Sequence, residues 1–418
     1  MNDSTPKPIR EMVDGGESAT SICPFRVQIQ QAEIDDLHAR LNRARWSGEL
    51  PGSAWDRGVP MSYIQSLVRY WLSAYDWRRH ERYLNRFAQF TTEIDDARIH
   101  FLHVRSSEPG ATPLLLVHGW PGSVVEFLEV IGPLTEPSAH GAPGSPAFHV
   151  VIPSLPGHCL SGPLHHPGWT HVRIANAFAT LMARLNYHRY GIQGGDSGAF
   201  IAPDIGRLHP EQVTGVHVNA LVTFPSGDPT EFASLTEAER TRVARLKHYK
   251  EEMMGYAQIQ GTRPQTISYG LTDSPIGQLA WIVEKFKEWS DPATNFAEDP
   301  LNRDIILTNS SLYWFTRTAG SSANLYYENL HQPNAWAPKQ RSSVPTGVLV
   351  SLTRDVAVRR FAEREHNITY WSESSIGGHF FALEQPFLFV QSVRTFFRSL
   401  EAEARCDQKF RENRQGHF

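Results

Sequence analysis

The sequence feature that most restricts the fold is a short glycine-rich turn, GGDSG, at residues 194–198. Residues 189–193 before it favour a strand, and residues 199–208 after it follow a helical pattern. A sharp strand–turn–helix corner of this kind is a nucleophile elbow, which needs small residues two positions either side of the nucleophile. Gly194 and Gly198 meet this requirement around Asp196, so we predict that Asp196 is the nucleophile.

A second frame through the same turn puts Ser197 at the apex, between Gly195 and Ala199. That arrangement would make the protein a serine esterase or peptidase. The string GDSG also surrounds the nucleophile of trypsin-like proteases, but those are all-β proteins and the context here alternates strands with helices. Taken alone, this motif is also compatible with a tight turn that has no catalytic role.

Short apolar runs alternate with helical patterns along much of the chain. The strand-like runs are residues 90–94, 99–104, 114–117, 148–152, 189–193, 213–219, 346–352 and 368–371. The first two are separated by DDAR at 95–98 and are expected to form a hairpin. The alternation predicts an α/β protein with a mostly parallel central sheet that is covered on both faces.

Changes in pattern divide the chain into five segments. We expect a flexible tail over 1–22, a helical and aromatic-rich segment over 23–90, and two parts of the α/β domain over 91–220 and 339–418. Residues 221–338 break the strand–helix rhythm and are predicted to form an inserted helical cap. The tryptophans of the second segment are expected to pack against the main domain; they are Trp46, Trp55, Trp71 and Trp77.

The motif HGWPGS at residues 118–123 directly follows the predicted strand 114–117. A loop in this position donates one backbone N–H to an oxyanion hole, and the residue after the nucleophile donates the other. With Asp196 as nucleophile, the two donors would be Trp120 and Ser197. His118 is expected to be a structural loop residue.

A base and an orienting acid are available near the C-terminus. His379 follows two glycines and the predicted strand 368–371, and the glycines would let the imidazole enter the site. Asp355 lies three residues beyond the predicted strand 346–352 and is the candidate acid. The chain order nucleophile, acid, base is the order that an elbow of this type requires.

The composition excludes several classes of protein. Lys and Arg (40) nearly balance Asp and Glu (44), and a net charge of −4 is against nucleic acid as a partner. The first residues lack a signal-peptide pattern, and no apolar stretch approaches the length of a membrane span. Three scattered cysteines are expected to be structural; they are Cys23, Cys159 and Cys406. We therefore expect a cytoplasmic protein without a membrane span.

Taken together, these motifs resemble the microsomal-type epoxide hydrolases, which have the α/β-hydrolase fold. The resemblance covers about residues 23–400 and rests on five motifs in order: HGWPGS, IQGGDSG (192–198), LTDSPIGQLAWIVEKF (271–286), SSANLYYEN (321–329) and GGHFFALEQP (377–386). It implies that the second segment is a meander that wraps the catalytic domain. It also implies that the chain converts an epoxide and water to a vicinal diol, through an ester on the aspartate, without a metal or cofactor.

In such enzymes two cap tyrosines hold the epoxide oxygen. The matching positions are Tyr256 and Tyr326, with Tyr327 as the local rival for the second role. Without the resemblance, all three would be interpreted as packing residues.

One departure concerns the residue after the nucleophile, which is usually Trp in this family and is Ser197 here. This predicts a roomier or more polar pocket and a bulky substrate such as a natural-product epoxide.

Haloalkane dehalogenase and serine esterase activities stay as alternatives. Detoxification and secondary-metabolite biosynthesis are both compatible with the sequence, and a homodimer is left open.

Overall fold

The computed structural model describes residues 20–299, 302–333, 335 and 337–415. Most of the tail expected over 1–22 lies outside this part, as does the side chain of Cys406. Nine strands form one sheet: β1 Cys23–Phe25, β2 Gln89–Ile94, β3 Ala97–Val104, β4 Thr112–Val117, β5 Phe148–Pro153, β6 Tyr190–Gly194, β7 Val213–Asn219, β8 Pro345–Ser351 and β9 Asn367–Ser374. Their order across the sheet is β1-β2-β3-β5-β4-β6-β7-β8-β9.

The sheet is antiparallel from β1 to β5 in this order and parallel from β5 to β9. The predicted hairpin is present, because β2 pairs with β3 and the turn residues Asp95 and Asp96 have φ values of +58° and +62°. Both values suit the left-handed turn that closes a two-residue hairpin. The predicted eight strands are confirmed, and β1 is an additional short strand.

Seventeen α-helices occur in the described part of the chain. They are α1 Gln31–Asn42, α2 Met61–Ser73, α3 Trp77–Leu84, α4 Leu128–Thr135, α5 His171–Arg184, α6 Gly198–Leu208, α7 Pro229–Ala233, α8 Glu237–His248, α9 Gly255–Thr262, α10 Pro264–Asp273, α11 Pro275–Trp289, α12 Arg303–Thr316, α13 Ala319–Ser322, α14 Asn324–Leu330, α15 Arg359–Ala362, α16 Phe381–Glu384 and α17 Pro386–Gln415. A π-helical turn, Tyr249–Met253, follows α8. Helices α7 to α14 lie between β7 and β8 and are called the insertion below.

Buried apolar side chains form one large cluster on each face of the sheet, as predicted for a parallel sheet covered on both sides. The strands contribute alternate residues to the two clusters. Leu114 and Leu116 of β4 join one cluster, whereas Leu115 and Val117 join the other. This alternation fixes the register of β4 and therefore the position of the loop that follows it.

The N-terminal helices pack largely against the insertion, and not only against the main domain as the sequence led us to expect. The ring of Trp77 lies 4.9 Å from that of Phe315 in α12, and Trp55 Nε1 donates to Glu298 Oε1 over 2.7 Å. Trp71 is buried, whereas Trp46 is exposed. Three of the four tryptophans therefore serve in packing.

The parallel strands bring four functional segments to one edge of the sheet. Strands β4, β6, β8 and β9 run in the same direction, so the loops that follow them meet at their carboxyl ends. The order of the strands reverses at β4, which lies between β5 and β6, and ligands bind at such switch points in open α/β sheets. None of the described helices is long and apolar enough to cross a membrane.

Candidate active site

The turn after β6 has the geometry of a nucleophile elbow. Asp196 adopts a φ of +55°, a conformation that costs energy for any residue with a side chain. A Cβ atom on Gly194 would lie 2.2 Å from the carbonyl oxygen of Gly198, and one on Gly198 would lie 2.1 Å from that of Val117. Both glycines are therefore required by close backbone contacts, as the spacing predicts.

The carboxylate of Asp196 is held by three donors on one oxygen. The N–H groups of Trp120 and Ser197 donate to Asp196 Oδ1 over 2.9 and 2.7 Å, and Ser197 Oγ donates to the same atom over 3.1 Å. The other oxygen, Oδ2, lies 3.3 Å from Nε2 of His379. The two carboxylate oxygens therefore have different environments, one among N–H donors and one facing the imidazole.

The loop at residues 118–123 fits closely around the carboxylate of Asp196 and is held by side chains of α12. A Cβ atom on Gly119 would lie 2.1 Å from Asp196 Oδ1, so glycine is required there. Asn309 Nδ2 donates to the carbonyl oxygen of Pro121 over 2.7 Å, and the Tyr313 hydroxyl donates to that of Gly122 over 2.8 Å. Two side chains of the insertion thus hold the loop from which the N–H of Trp120 reaches Asp196.

His118 has a structural position, as expected from the sequence. It is fully buried, its Nε2 accepts from the N–H of Leu155 over 3.1 Å, and its Nδ1 lies 2.9 Å from the carbonyl oxygen of Gly119. Burial lowers the pKa of this imidazole to about 4. It is therefore neutral at physiological pH and fixes the loop.

The loop that carries His379 is bonded through four consecutive N–H groups. These donate, in order from residue 377 to 380, to Asp291 Oδ2 (2.8 Å), Glu384 Oε2 (3.0 Å), the carbonyl oxygen of Trp289 (2.9 Å) and Glu384 Oε1 (3.1 Å). Gly377 has a φ of +87°, and a Cβ atom on Gly378 would lie 2.4 Å from the nitrogen of Asp291. The two glycines thus allow the loop to lie against the end of α11.

Asp291 and Glu384 were not among the candidates from the sequence. Asp291 accepts the N–H of Gly377, before His379, whereas Glu384 accepts those of Gly378 and Phe380 on either side of it. Glu384 also accepts from the N–H of Asp291 over 2.7 Å. Burial raises the pKa of Glu384 to about 7. The glutamate in GGHFFALEQP, five residues after the histidine, was the one visible sequence signal.

Asp355 lies near His379 but is not hydrogen-bonded to it, although both residues are within the described part of the chain. Its Oδ2 accepts from the N–H of Ser351 over 2.8 Å, and its backbone carbonyl accepts from Arg245 Nη1 over 2.7 Å. Burial raises the pKa of Asp355 to about 6. Its negative charge is one of those that raise the pKa of His379.

The predicted cap tyrosines lie above the elbow. The Tyr256 ring stacks on that of Trp120 at 5.2 Å, and the Tyr326 ring lies 6.0 Å from Trp120 and 5.7 Å from Tyr256. Burial holds the pKa of both hydroxyls well above the usual range, and the charge of Asp196 also raises it. Both hydroxyls are therefore protonated at neutral pH.

Tyr327, the alternative to Tyr326, does not join this cluster, whereas a further tyrosine, Tyr249, does. Tyr327 is exposed and stacks on His331 with 3.9 Å between the ring centroids. The Tyr249 hydroxyl, from the π-helical turn, lies 2.8 Å from that of Tyr256. Tyr249 was not among the candidates from the sequence.

The charges of Asp196 and His379 stabilise each other. Burial alone would raise the pKa of Asp196, but the hydrogen bond and charge of His379, with the N–H groups of Ser197 and Trp120, bring it below its usual value. Burial alone would lower the pKa of His379, but the hydrogen bond and charge of Asp196 raise it. Each group therefore favours the ionised form of the other.

The doubly covered parallel sheet, the elbow and the loop after β4 define an α/β hydrolase. A family profile described as "alpha/beta hydrolase fold" matches residues 112–268, and one described as "Epoxide hydrolase N terminus" matches residues 22–127. The crystal structure of juvenile hormone epoxide hydrolase from the silkworm Bombyx mori is 31% identical, with a TM-score of 0.85, over 92% of this chain and 96% of that one.

Two curated relatives are similar over most of their length. A Stigmatella aurantiaca protein that carries an epoxide hydrolase name is 43% identical, over 91% of this chain and 86% of its own. Epoxide hydrolase 1 of Sus scrofa is 34% identical, over 92% and 90%. The chain belongs to the epoxide hydrolase family of α/β hydrolases, which confirms the resemblance and the enzymatic activity inferred from the motifs.

Proposed function

We propose that this epoxide hydrolase works through a covalent ester on Asp196, with His379 as base and Tyr256 and Tyr326 as proton donors. In the first step, Asp196 Oδ2 attacks an epoxide carbon and the carbon–oxygen bond of the ring breaks. The departing oxygen takes a proton from one of the two tyrosine hydroxyls, which hold it by hydrogen bonds.

In the second step, a water molecule attacks the carboxyl carbon of the ester while His379 takes its proton. The negative charge that develops on Oδ1 is stabilised by the N–H groups of Trp120 and Ser197. The bond between the carboxyl carbon and Oδ2 then breaks, and Oδ2 leaves with the product and takes the proton from His379. The second proton of the water molecule, now on the Asp196 carboxyl, returns to the tyrosinate left by the first step. The product is a vicinal diol, and Asp196 has gained one oxygen atom from water.

The observation that carries this proposal is the unequal environment of the two oxygens of Asp196. Oδ1 already occupies the position between two N–H donors where the oxyanion forms, which leaves Oδ2 for attack. The alternative nucleophile, Ser197 Oγ, donates its hydrogen to Asp196, whereas His379 Nε2 faces Asp196. This geometry favours Asp196 over Ser197.

The mechanism is tested by mass spectrometry of the H379A variant after incubation with an epoxide. We expect a stable adduct on Asp196, because the base for the second step is missing. D196A should abolish diol formation, whereas S197A should retain it, because the backbone donor remains. An adduct on Ser197, or none on the peptide that contains Asp196, would refute the covalent mechanism.

A single turnover in ¹⁸O-labelled water provides an independent test. The label should enter the Asp196 carboxylate and be absent from the first equivalent of diol. Direct attack of water on the epoxide would instead put the label into the diol.

We also propose that the substrate is bulky, because Ser197 stands where the family usually has Trp. Ser197 is buried against Asp196, where its side chain is smaller than an indole and adds a polar donor. Turnover of styrene oxide is to be compared with that of a larger aryl epoxide. A clear preference for styrene oxide would contradict this proposal.

For the whole chain, we propose that residues 1–22 form a tail, 23–90 the meander, 221–338 the cap, and 91–220 with 339–418 the catalytic domain.

We further propose a cytoplasmic location and no nucleic-acid partner, in keeping with the net charge of −4. Cell fractionation tests the location, and light scattering tests whether the enzyme is a homodimer.

A further inference from the structure

Helix α11 buries a lysine beside the active site. Lys285 is 2% exposed, and its Nζ lies 2.6 Å from Glu284 Oε1 and 2.6 Å from Glu288 Oε2. The same ammonium lies over the ring of Tyr256, 4.7 Å from its centroid, and 5.8 Å from that of Trp289. A positive charge therefore sits on the face of one of the two candidate proton donors.

Burial of an ammonium group is costly, and lysine is among the residues least often buried. The two glutamates offset this cost, but they are themselves 28% and 30% exposed and could have been paired by a lysine at the surface. A solvent-exposed pair would have linked the turns of α11 equally well. The inward position of Lys285 is thus not explained by helix stability alone.

We propose that Lys285 is a positioning residue that strengthens Tyr256 as the proton donor to the opening epoxide. A cation over an aromatic face is attracted by the electron density of the ring. That density increases as the hydroxyl gives up its proton, so the attraction is stronger in the transition state than in the resting enzyme. The carboxylates of Glu284 and Glu288 weaken the effect, but the ammonium group lies directly on the ring and electrostatic interactions fall with distance.

The two tyrosines differ in the groups that lie over their rings. Among the described residues, no cation lies over the ring of Tyr326, whereas Tyr256 has both Lys285 and the stacked ring of Trp120. Tyr256 is therefore assigned as the main proton donor, and Tyr326 as the group that holds the oxygen. This assignment rests on the proposed ester mechanism.

The test measures the rate of ester formation alone. In the H379A background, the adduct on Asp196 is followed by rapid quench and mass spectrometry with a reactive aryl epoxide. K285M should slow adduct formation roughly tenfold, which corresponds to ~1.4 kcal/mol of transition-state stabilisation. K285R should restore most of the rate, because arginine keeps the positive charge over the ring.

A double-mutant cycle distinguishes this role from a structural one. In a Y256F background, K285M should have little further effect, because no proton leaves the ring. In a Y326F background, K285M should retain its full effect. A merely structural lysine would give the same loss in both backgrounds.

Two further variants control for folding. K285M/E288Q removes one of the two carboxylates that lose the ammonium in K285M, and it should show the same slow ester formation with a thermal midpoint closer to that of the parent. K287M is the matched control, since Lys287 lies two residues further along α11, over the ring of Trp55 and bonded to Glu298, and should leave the rate unchanged.

The outcomes are separable. If the parent H379A protein forms no adduct, the ester mechanism fails and this inference fails with it. If the parent forms the adduct but K285M has no effect, or has equal effects in the Y256F and Y326F backgrounds, only the role of Lys285 is overturned.

Discussion

At the scale of single residues, the charge of Asp196 controls the basicity of His379. The hydrogen bond and charge of Asp196 raise the pKa of the imidazole against the effect of burial. Both contributions disappear once Asp196 is esterified, because the ester carries no charge. In the proposed mechanism, ester formation therefore lowers the pKa of His379, which favours the neutral base that the second step needs.

This coupling predicts that D196N lowers the pKa of His379. Asparagine keeps the shape of the side chain but not its negative charge, so burial would dominate and the imidazole would lose its proton at a lower pH than in the wild type. NMR titration of the histidine ring protons measures the shift. S197A keeps the charge of Asp196 and serves as the control. An equal or higher pKa in D196N would contradict the coupling.

A second residue-scale prediction concerns the adjacent tyrosines. Y326F should slow ester formation roughly 10- to 100-fold, because one of two hydroxyls that hold the epoxide oxygen is lost. Y327F should leave the rate near that of the wild type, because Tyr327 is exposed and stacks on His331. Stopped-flow or rapid-quench kinetics measures both. Equal losses in the two variants would mean that the assignment within the LYYEN motif is wrong.

Much of the site could be predicted from local sequence, since Asp196, His379 and Trp120 follow strands whose carboxyl ends meet at one edge of the sheet. Tyr256 and Tyr326 needed the family resemblance, because an isolated tyrosine on a helix carries no signal of its own. The contacts of Glu384 and Lys285 are set by the packing of α11. Such contacts have no sequence period that would reveal them.

At the scale of elements, the strands were predictable because each is a short apolar run bounded by turn residues. β1, with only three residues, was too short to show a pattern. The insertion was recognisable as helical but not divisible into its eight helices. Several of these helices are bounded by polar or proline residues; Ser274, for example, caps the start of α11. The directions of the helices are determined by packing.

The loop that carries His379 leads to a prediction at this scale. In E384Q one carboxylate oxygen becomes an amino group, which cannot accept the N–H of Gly378 or Phe380. The loop should move, and ester hydrolysis should slow roughly tenfold while ester formation changes less, since His379 acts as base in the second step. Single-turnover kinetics separates the two steps, and E363Q, at an exposed glutamate directly after α15, is the control. Slowing confined to ester formation would contradict this role.

At the scale of the whole molecule, the N-terminal segment and the insertion support each other. Tyr70 of α2 donates to Asp304 Oδ1 over 2.8 Å, and the Tyr75 hydroxyl lies 3.1 Å from Thr308 Oγ1. Asp304 and Thr308 both lie on α12, the helix whose Asn309 holds the loop at residues 118–123. The N-terminal helices therefore stabilise the site without contacting it.

This packing predicts a large difference between two tryptophans. W71A should lower the free energy of unfolding by about 3–5 kcal/mol, because Trp71 is 1% exposed and its removal leaves a cavity. W46A should change it by less than about 0.5 kcal/mol, because Trp46 is 40% exposed. Urea unfolding measures both. Similar losses would mean that α2 does not pack as the structure has it.

The bonds from the insertion to the two catalytic loops have a consequence for how far the insertion can move. Asn309 and Tyr313 hold the loop of Trp120, and Trp289 and Asp291 hold the loop of His379. If the insertion moved far from the catalytic domain, it would pull both loops with it, and the proposed oxyanion donor and base would be displaced together. A wide opening is thus incompatible with a working site. The insertion must therefore be seated on the catalytic domain, with these bonds formed, whenever the reaction takes place.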